Sequence, residues 1–284
     1  MDRSRTRLVI PGFQVMDYLG SGARSTIWRV RDCRDNSIYA LKRIVREKGD
    51  DGRFFGQATN EFEIARRFDH PAIRKCYRLN RRRWFFSVSE LHLLMEFCPG
   101  SSVQATRPKQ VLSVLEIFLG VAQALAHMHA RGFIHADMKP NNIIVGDDGA
   151  VKIIDFGQSC ALGTIKQRIQ GTPDFIAPEQ VLLRPLDART DIFNFGAALY
   201  WALTGIPIPT LLPKMTNQVM MATDLRLRPV EEINPEVPAG LSKLVADCIE
   251  MEQSRRPSSV RELIGRLELI AHTCRRNAPG AEKT

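Results

Sequence analysis

The run His135-Ala136-Asp137-Met138-Lys139-Pro140-Asn141-Asn142, followed by Asp155-Phe156-Gly157, constrains this chain more than any other feature. It sets a carboxylate, a cation and an amide within one short loop and adds a second carboxylate just downstream. These side chains at this spacing suit phosphoryl transfer from a metal-bound nucleotide. Asp137 is placed to receive the proton of an attacking hydroxyl, Lys139 to neutralise the moving group, and Asn142 and Asp155 to hold metal ions. The chain has 284 residues, more than one hydrophobic core usually serves, so two lobes are expected.

The hydrophobic pattern divides the chain in the same way. Phe13 to Leu19, Thr26 to Arg31 and Ile38 to Ile44 are rich in β-branched, aromatic and aliphatic residues with turn signals between them, and read as strands. From Asn60 to Phe68 the apolar residues Phe62, Ala65 and Phe68 take helical spacing, and Asp69-His70-Pro71 ends that helix. Leu91 to Phe97 returns to a strand, and Pro99-Gly100-Ser101-Ser102 reads as a connector at the lobe boundary. Beyond it, Val111 to His129 carries one apolar stripe, with Gly132 placed to stop the helix. Ile143 to Val145 and Val151 to Ile154 read as strands around an Asp147-Asp148-Gly149 turn. Asp191 to Leu203, Leu241 to Glu250 and Ser259 to Ile270 read as helices, and the residues from about Arg275 onward as a frayed end. This predicts an α+β fold with a β-rich N-lobe over 13–98 and a mainly helical C-lobe over 99–274, residues 1–12 and 275–284 being flexible termini.

Composition narrows the function classes. The formal charge of +9 invites a nucleic-acid or anionic-membrane partner. No nucleic-acid motif accompanies the charge, so a solvated basic surface is the simpler reading and nucleic acid is not an expected partner. Arg81-Arg82-Arg83 before Trp84-Phe85-Phe86 is the best basic-aromatic patch, and it reads as an exposed hairpin turn. No apolar run is expected to span a bilayer, and no signal-peptide core follows Met1-Asp2-Arg3-Ser4-Arg5. The six cysteines are scattered without a C-x-x-C pair, which disfavours zinc and a disulfide framework and fits a reducing cytoplasm.

Taken together, His135–Asn142 and Asp155-Phe156-Gly157 resemble the catalytic and metal-binding loops of eukaryotic-type protein kinases. Gly20-Ser21-Gly22-Ala23-Arg24-Ser25-Thr26-Ile27 resembles the family's glycine loop, whose amides approach phosphates, although by itself a Gly-rich hairpin is most often only a turn. Tyr39-Ala40-Leu41-Lys42 looks like the strand whose lysine binds the α- and β-phosphates while paired with a helix glutamate. Glu61 matches that glutamate by its distance to His70-Pro71. Glu63, two residues on, faces roughly the opposite way. Leu93 to Cys98 resembles the adenine-binding hinge, with Met95 at the back of the pocket and Glu96 and Cys98 at its backbone edge. Ile27, Ala40 and Ile144 are implied as adenine contacts. Gly171-Thr172-Pro173-Asp174-Phe175-Ile176-Ala177-Pro178-Glu179 is similar to the Ser/Thr-type peptide-docking segment, with Thr172 bridging Asp137 and Lys139. Asp191 looks like the helix aspartate that anchors the catalytic loop, and Arg256 like the arginine that pairs with Glu179. The resemblance covers about residues 13–270.

Several departures stand out. Ala136 replaces the arginine that in the family reads an activation-segment phosphate, which implies activity without phosphorylation between Asp155 and Glu179. Ser25 replaces the third glycine of the loop, and Phe175 replaces a tyrosine. Ala65 and Cys76, expected to stack with His135 and Phe156, are smaller than usual, so the helix bearing Glu61 is expected to need a partner or a neighbouring side chain to settle. The neutral Asn141 and the positive net charge favour acidic substrates over basic ones. The resemblance implies an ATP- and Mg²⁺-dependent protein Ser/Thr kinase, with Mn²⁺ as an alternative metal and a protein hydroxyl as the acceptor. The alternative is a pseudokinase, a nucleotide-binding or purely interacting scaffold. The sequence leaves oligomeric state open.

Overall fold

The computed structural model describes residues 8–22, 24–47, 52–84, 87–209 and 227–276. The chain is two-lobed. One unit is built from the described residues up to Asp69 together with Arg74–Cys98, and the other from His70–Ile73 together with the described residues from Pro99 onward.

The first unit is a five-stranded antiparallel sheet in the order β1-β2-β3-β5-β4, with one helix. Its strands are β1 (Phe13–Ser21), β2 (Ser25–Asp32), β3 (Ile38–Val45), β4 (Cys76–Trp84) and β5 (Ser87–Glu96). Strand residues alternate between faces. One face buries Ile10, Val30, Leu41 and Leu94, and Ile44, Ala58 and Leu91 form a second cluster with helix α1 (Arg53–Ala65). That helix starts at Arg53, well before the expected Asn60. Its N-cap is Gly52, in the left-handed region and with no side-chain cap, so the sequence carried no start signal there. The expected hairpin turn at Arg81-Arg82-Arg83 is a stretch of β4 instead, paired with β5 through Arg82↔Glu90 and Arg83↔Val88. Strand β4 lies at the edge of the sheet, where exposed charges are common because they disfavour edge-to-edge pairing. Phe85 and Phe86 lie outside the described residues.

His70–Ile73 belongs with the second unit because Ile73 bridges Ile153 and the Ile153 amide donates to the Ala72 carbonyl at 2.8 Å. This unit carries β6 (Ser101–Ser102), β7 (Phe133–Ile134), β8 (Ile143–Val145), β9 (Val151–Ile153) and β10 (Cys160–Ala161). They form a β6-β8-β9 sheet and a β7-β10 pair. Its helices are α2 (Val111–His129), α3 (Pro178–Val181), α4 (Ala188–Thr204), α5 (Val230–Ile233), α6 (Ala239–Cys248) and α7 (Val260–Arg276). By length and composition α2 could cross a membrane, contrary to the expectation that no segment would. Here it is a core helix that buries nine residues, with Phe118 edge-on to Phe195 of α4 at 5.2 Å between ring centroids.

Helix α4 is set at both ends by its sequence. Asp187 is the N-cap, accepting from the Arg189 amide at 2.7 Å, while Thr190 Oγ1 accepts from the Asp187 amide. Gly205 ends it in the left-handed conformation, φ 78°. Its middle is buried nearly all round, and a Cβ at Gly196 would come within 2.5 Å of Cys248 Cβ on α6. Any larger residue there would force the two helices apart. The end expected to fray from Arg275 is helical through Arg276.

Candidate active site

In the first unit the β1–β2 hairpin holds the glycine-rich segment. Gly20 pairs with Ile27 and Ser21 with Thr26, and the Gly22 amide donates to the Ser25 carbonyl at 2.9 Å. A Cβ at Gly22 would sit 2.9 Å from Ser25 Oγ, a contact that rotation of the serine side chain could relieve. Arg24 ion-pairs with Glu47. Ala23 lies outside the described residues.

Strand β3 places Ala40 opposite Met95, and Lys42 between Ile27 on β2 and Leu93 on β5. Ala40 and Met95 are buried, Ile27 is half-buried, and the Glu96 amide donates to the Lys75 carbonyl at 2.9 Å. Cys98 is half-buried, with Sγ 3.8 Å from the Glu96 carbonyl. Lys42 Nζ donates to Glu61 Oε2 at 2.7 Å, whereas Glu63 is exposed and 3.8 Å from Arg66. Sequence reasoning missed a third member: Arg74 Nη2 donates to Glu61 Oε1 at 2.6 Å. Glu61 is fully buried and Arg74 nearly so. One carboxylate therefore serves two cations on opposite oxygens. The only sequence signal was the charged pair Arg74-Lys75 in the Ala72-Ile73-Arg74-Lys75-Cys76 stretch between helix and strand. Cys76 beside it is inert as a nucleophile, since burial pushes its thiol up to about 12.

The two cations make a stability prediction. Lys42→Met leaves Glu61 paired with Arg74 and is expected to change stability by about 1 kcal/mol or less. Glu61→Ala leaves two inward cations without their carboxylate and is expected to cost roughly 3–5 kcal/mol. Thermal melts of the two variants check this, and equal melting temperatures would contradict it.

In the second unit the loop from Ile134 to Asn142 is fixed by Asp191, which is completely buried near the start of α4. The main-chain amides of His135 and Ala136 donate to its two oxygens, each at 2.8 Å, and His129 Nε2 lies 2.7 Å away. Burial works to raise the Asp191 carboxyl. Hydrogen bonding from His129 and from the His135 amide outweighs it and holds the carboxyl below its ordinary range. His135 is buried edge-on to Phe156, with ring centroids 5.4 Å apart. The Asp137 amide donates to its Nδ1 at 3.3 Å, so its proton sits on Nε2, which donates to the Ile154 carbonyl at 3.2 Å. Ala65 and Cys76, the small residues of the expected stack, are each buried in the first unit.

Asp137, Lys139 and Thr172 form a closed triangle. Lys139 Nζ donates to Asp137 Oδ2 at 2.8 Å and to Thr172 Oγ1 at 2.7 Å, and Thr172 Oγ1 donates to Asp137 Oδ1 at 2.9 Å. Asn142 sits in the 3₁₀ turn Pro140–Asn142, and its Nδ2 donates to the Asp137 carbonyl at 2.8 Å. That bond fixes which end of the amide is the oxygen, so Asn142 offers Oδ1 and Asp155 a carboxylate, both hard oxygen donors. Hard oxygens of this kind are suited to a divalent cation. Ala136 and Asp155 both adopt the left-handed conformation, φ 60° and 67°. Each costs about 1–2 kcal/mol for a residue with a Cβ, strain that clusters where geometry is functional. Ile144 on β8 is half-buried between Ser102 and Lys152.

Glu179 in α3 meets Arg256 in a buried two-pronged pair, at 2.8 and 3.0 Å. Gln180 and Asn194, which the sequence reading did not single out, join the docking segment to the catalytic loop. Neither residue type signals such a role, because the contacts are set by tertiary packing.

Residues 13–267 match the family model described as the protein kinase domain. The chain is 26% identical over 267 residues to a protein named as a probable serine/threonine-protein kinase of Clostridium acetobutylicum, covering 91% of this chain and 40% of that protein. It is 26% identical over 266 residues to Aurora kinase C of Mus musculus, covering 92% of each. It is 31% identical over 205 residues to serine/threonine-protein kinase PknB of Mycobacterium leprae, covering 69% of this chain and 33% of that protein. The chain thus spans well under half the length of the two bacterial relatives. On the family match over nearly its whole length, the chain belongs to the protein kinase family.

Proposed function

We propose that this chain transfers the γ-phosphoryl group of ATP to serine or threonine hydroxyls of proteins, with Mg²⁺ as the metal and Mn²⁺ as an alternative. The Asp137–Lys139–Thr172 triangle carries the reading. A buried carboxylate held by a lysine and a hydroxyl has one oxygen directed by each, an arrangement that suits accepting a proton beside a group gaining negative charge. Support also comes from the hard oxygen donors of Asn142 and Asp155, and from relatives named as serine/threonine kinases. No observation favours the scaffold alternative.

In the reaction the substrate hydroxyl oxygen bonds to the γ-phosphorus, the bond from that phosphorus to the β–γ bridging oxygen breaks, and ADP departs with the electron pair. Asp137 orients the hydroxyl and takes its proton. Lys139 offsets the charge on the moving group. Lys42, held by Glu61, binds the α- and β-phosphates, and Gly20–Ser25 lay backbone amides over them. Ile27, Ala40 and Met95 contact adenine, with Glu96 and Cys98 bonding its edge through the backbone. Asn142 and Asp155 would hold the metal, which when bound neutralises phosphate charge. The Ser/Thr-type docking segment around Thr172 argues for a protein acceptor. None of the six cysteines is in a disulfide, which suits a reducing cytoplasm.

The test is ATP-dependent phosphate incorporation with Mg²⁺, into the protein itself and into a generic protein substrate. Phosphoserine or phosphothreonine is expected from the wild type and not from Asp137→Asn or Asp155→Ala. A wild type that binds nucleotide but incorporates no phosphate would overturn the reading in favour of a scaffold.

A further inference from the structure

Ala136 is gripped from both sides. Its amide donates to Asp191, and its carbonyl accepts from Gln180 Nε2 at 2.8 Å. The same Nε2 donates to the Gln170 carbonyl at 3.2 Å. Gln180 Oε1 accepts from the Ala177 amide and from Asn194 Nδ2, each at 3.0 Å. Asn194 Nδ2 also donates to the Phe175 carbonyl at 2.6 Å. A side-chain amide has two N–H donors and an oxygen with two lone pairs, and Gln180 uses all of them. It is 3% exposed and Asn194 1%.

The carbonyls so tied are informative. Ala136 directly precedes Asp137. Gln170 and Phe175 bracket the stretch that carries Thr172, whose hydroxyl closes the triangle with Asp137 and Lys139. Gln180 therefore fixes the spacing between the catalytic loop and the docking segment at the main chain, on both sides of the reacting groups.

We infer that Gln180, backed by Asn194, is a positioning residue that locks the docking segment to the catalytic loop through neutral buried hydrogen bonds, so that the reactive arrangement forms without an activation-segment phosphate. Ala136 by itself says only that a phosphate has no arginine there to meet. Gln180 supplies what holds the two segments instead. A phosphate clamp depends on a charge that is added and removed. An amide has no such charge, so this lock is permanent. Gln180 has every donor and acceptor paired, while Asn194 uses its Nδ2 and leaves Oδ1 without a partner; buried polar groups paired as Gln180 is rigidify what they connect. The inference rests on the phosphotransfer reading and deepens it from chemistry to regulation.

The experiment is steady-state kinetics of the full chain on a Ser/Thr peptide, before and after phosphatase treatment, for the wild type, Gln180→Met and Asn194→Ala. Wild-type activity is expected to survive phosphatase unchanged. Gln180→Met keeps the side-chain length and removes every bond. Its turnover is expected to fall about tenfold or more and its KM for peptide to rise, with KM for ATP unmoved. Asn194→Ala, which removes only the Phe175 arm and the bond to Oε1, is expected to shift the same two constants by less. It decides the matter alone if Gln180→Met does not fold. A purely structural role would instead lower the folded fraction and leave the KM values of the remainder at wild type, and that result overturns the inference. So does a wild type that phosphatase inactivates, or an active wild type whose constants neither variant changes. No incorporation by the wild type at all would instead overturn the phosphotransfer reading, and this inference with it.

Discussion

Asp137→Asn is expected to lower turnover by roughly 10²–10⁴-fold, the range for removing a general base, while nucleotide affinity and melting temperature stay close to wild type. The geometry explains why loss of activity and retention of structure go together. Asparagine has the shape of aspartate, so its amide oxygen takes over the acceptance from Lys139 Nζ now made at 2.8 Å. Its amide nitrogen then faces Thr172 Oγ1, which already accepts from Lys139 and has a second lone pair for the new donor. The triangle closes again with one hydroxyl turned round, at a cost of about 1 kcal/mol. The amide cannot take up the proton of an attacking hydroxyl. The measurement is kcat on a peptide with saturating ATP, beside a calorimetric binding isotherm for nucleotide. A variant that keeps more than about a tenth of wild-type turnover would mean that Asp137 only aligns the acceptor.

The residues of that triangle were legible because Asp137 and Lys139 lie two apart in one loop and carry their chemistry in their residue types. Asn142 and Asp155 follow within the same short span. Arg74 and Gln180 were not legible. Arg74 reaches Glu61 across 13 residues and Gln180 reaches Ala136 across 44. Each partnership exists only after a strand or helix has been laid against its neighbour. An arginine near a strand end and a glutamine after Glu179 look, in sequence, like ordinary surface residues. Arg74 adds a neighbouring cation to the buried carboxylate of the helix that bears Glu61, beside the Lys42 pairing that the sequence pointed to.

The fold shows the same division. Strands β1, β2, β3 and β5 and helices α2, α6 and α7 announce themselves by apolar periodicity, because each hides one face or one stripe, and α4, buried nearly all round, by its mostly apolar run from Ile192 to Leu203. Strand β4 hides little of its Arg81–Arg83 stretch, all three residues being exposed, so its sequence lacks alternation there. The early turns of α1 contain Gly56, a poor helix former, and follow a glycine cap rather than a Ser, Thr or Asp. The two-residue strands β6, β7 and β10 are too short to carry any pattern. What remains hidden is structure imposed by neighbours.

Arg256→Ala is expected to destabilise the helical unit more than Glu179→Ala, although both break the same ion pair. Arg256 is wholly buried at its side chain and Glu179 nearly so. Besides its two bonds to Glu179, the guanidinium donates to the carbonyls of Glu250 at 2.7 Å, Arg189 at 2.9 Å and Met251 at 3.3 Å. It also lies 4.8 Å from the centre of the Phe193 ring. Removing Glu179 leaves the cation with three carbonyl dipoles and an aromatic face, so part of its burial cost stays offset. Removing Arg256 leaves three carbonyls and a carboxylate without their donor, plus the space of the largest side chain in the cluster. Breaking one side of a buried pair costs roughly 3–5 kcal/mol. Glu179→Ala is expected near the bottom of that range and Arg256→Ala near or above the top. At about 2–4 °C per kcal/mol for a unit of this size, the two melting temperatures separate by several degrees. The double variant should lose less than the sum, since it leaves no unpaired charge. Arg256→Lys keeps the charge but not the fork, and one ammonium cannot reach all of these acceptors, so it should fall between wild type and Arg256→Ala. Scanning calorimetry of the four variants decides it. If Glu179→Ala proves the more damaging, the carbonyl ring around Arg256 contributes little and the ion pair itself holds α3 to the turn that bears Arg256.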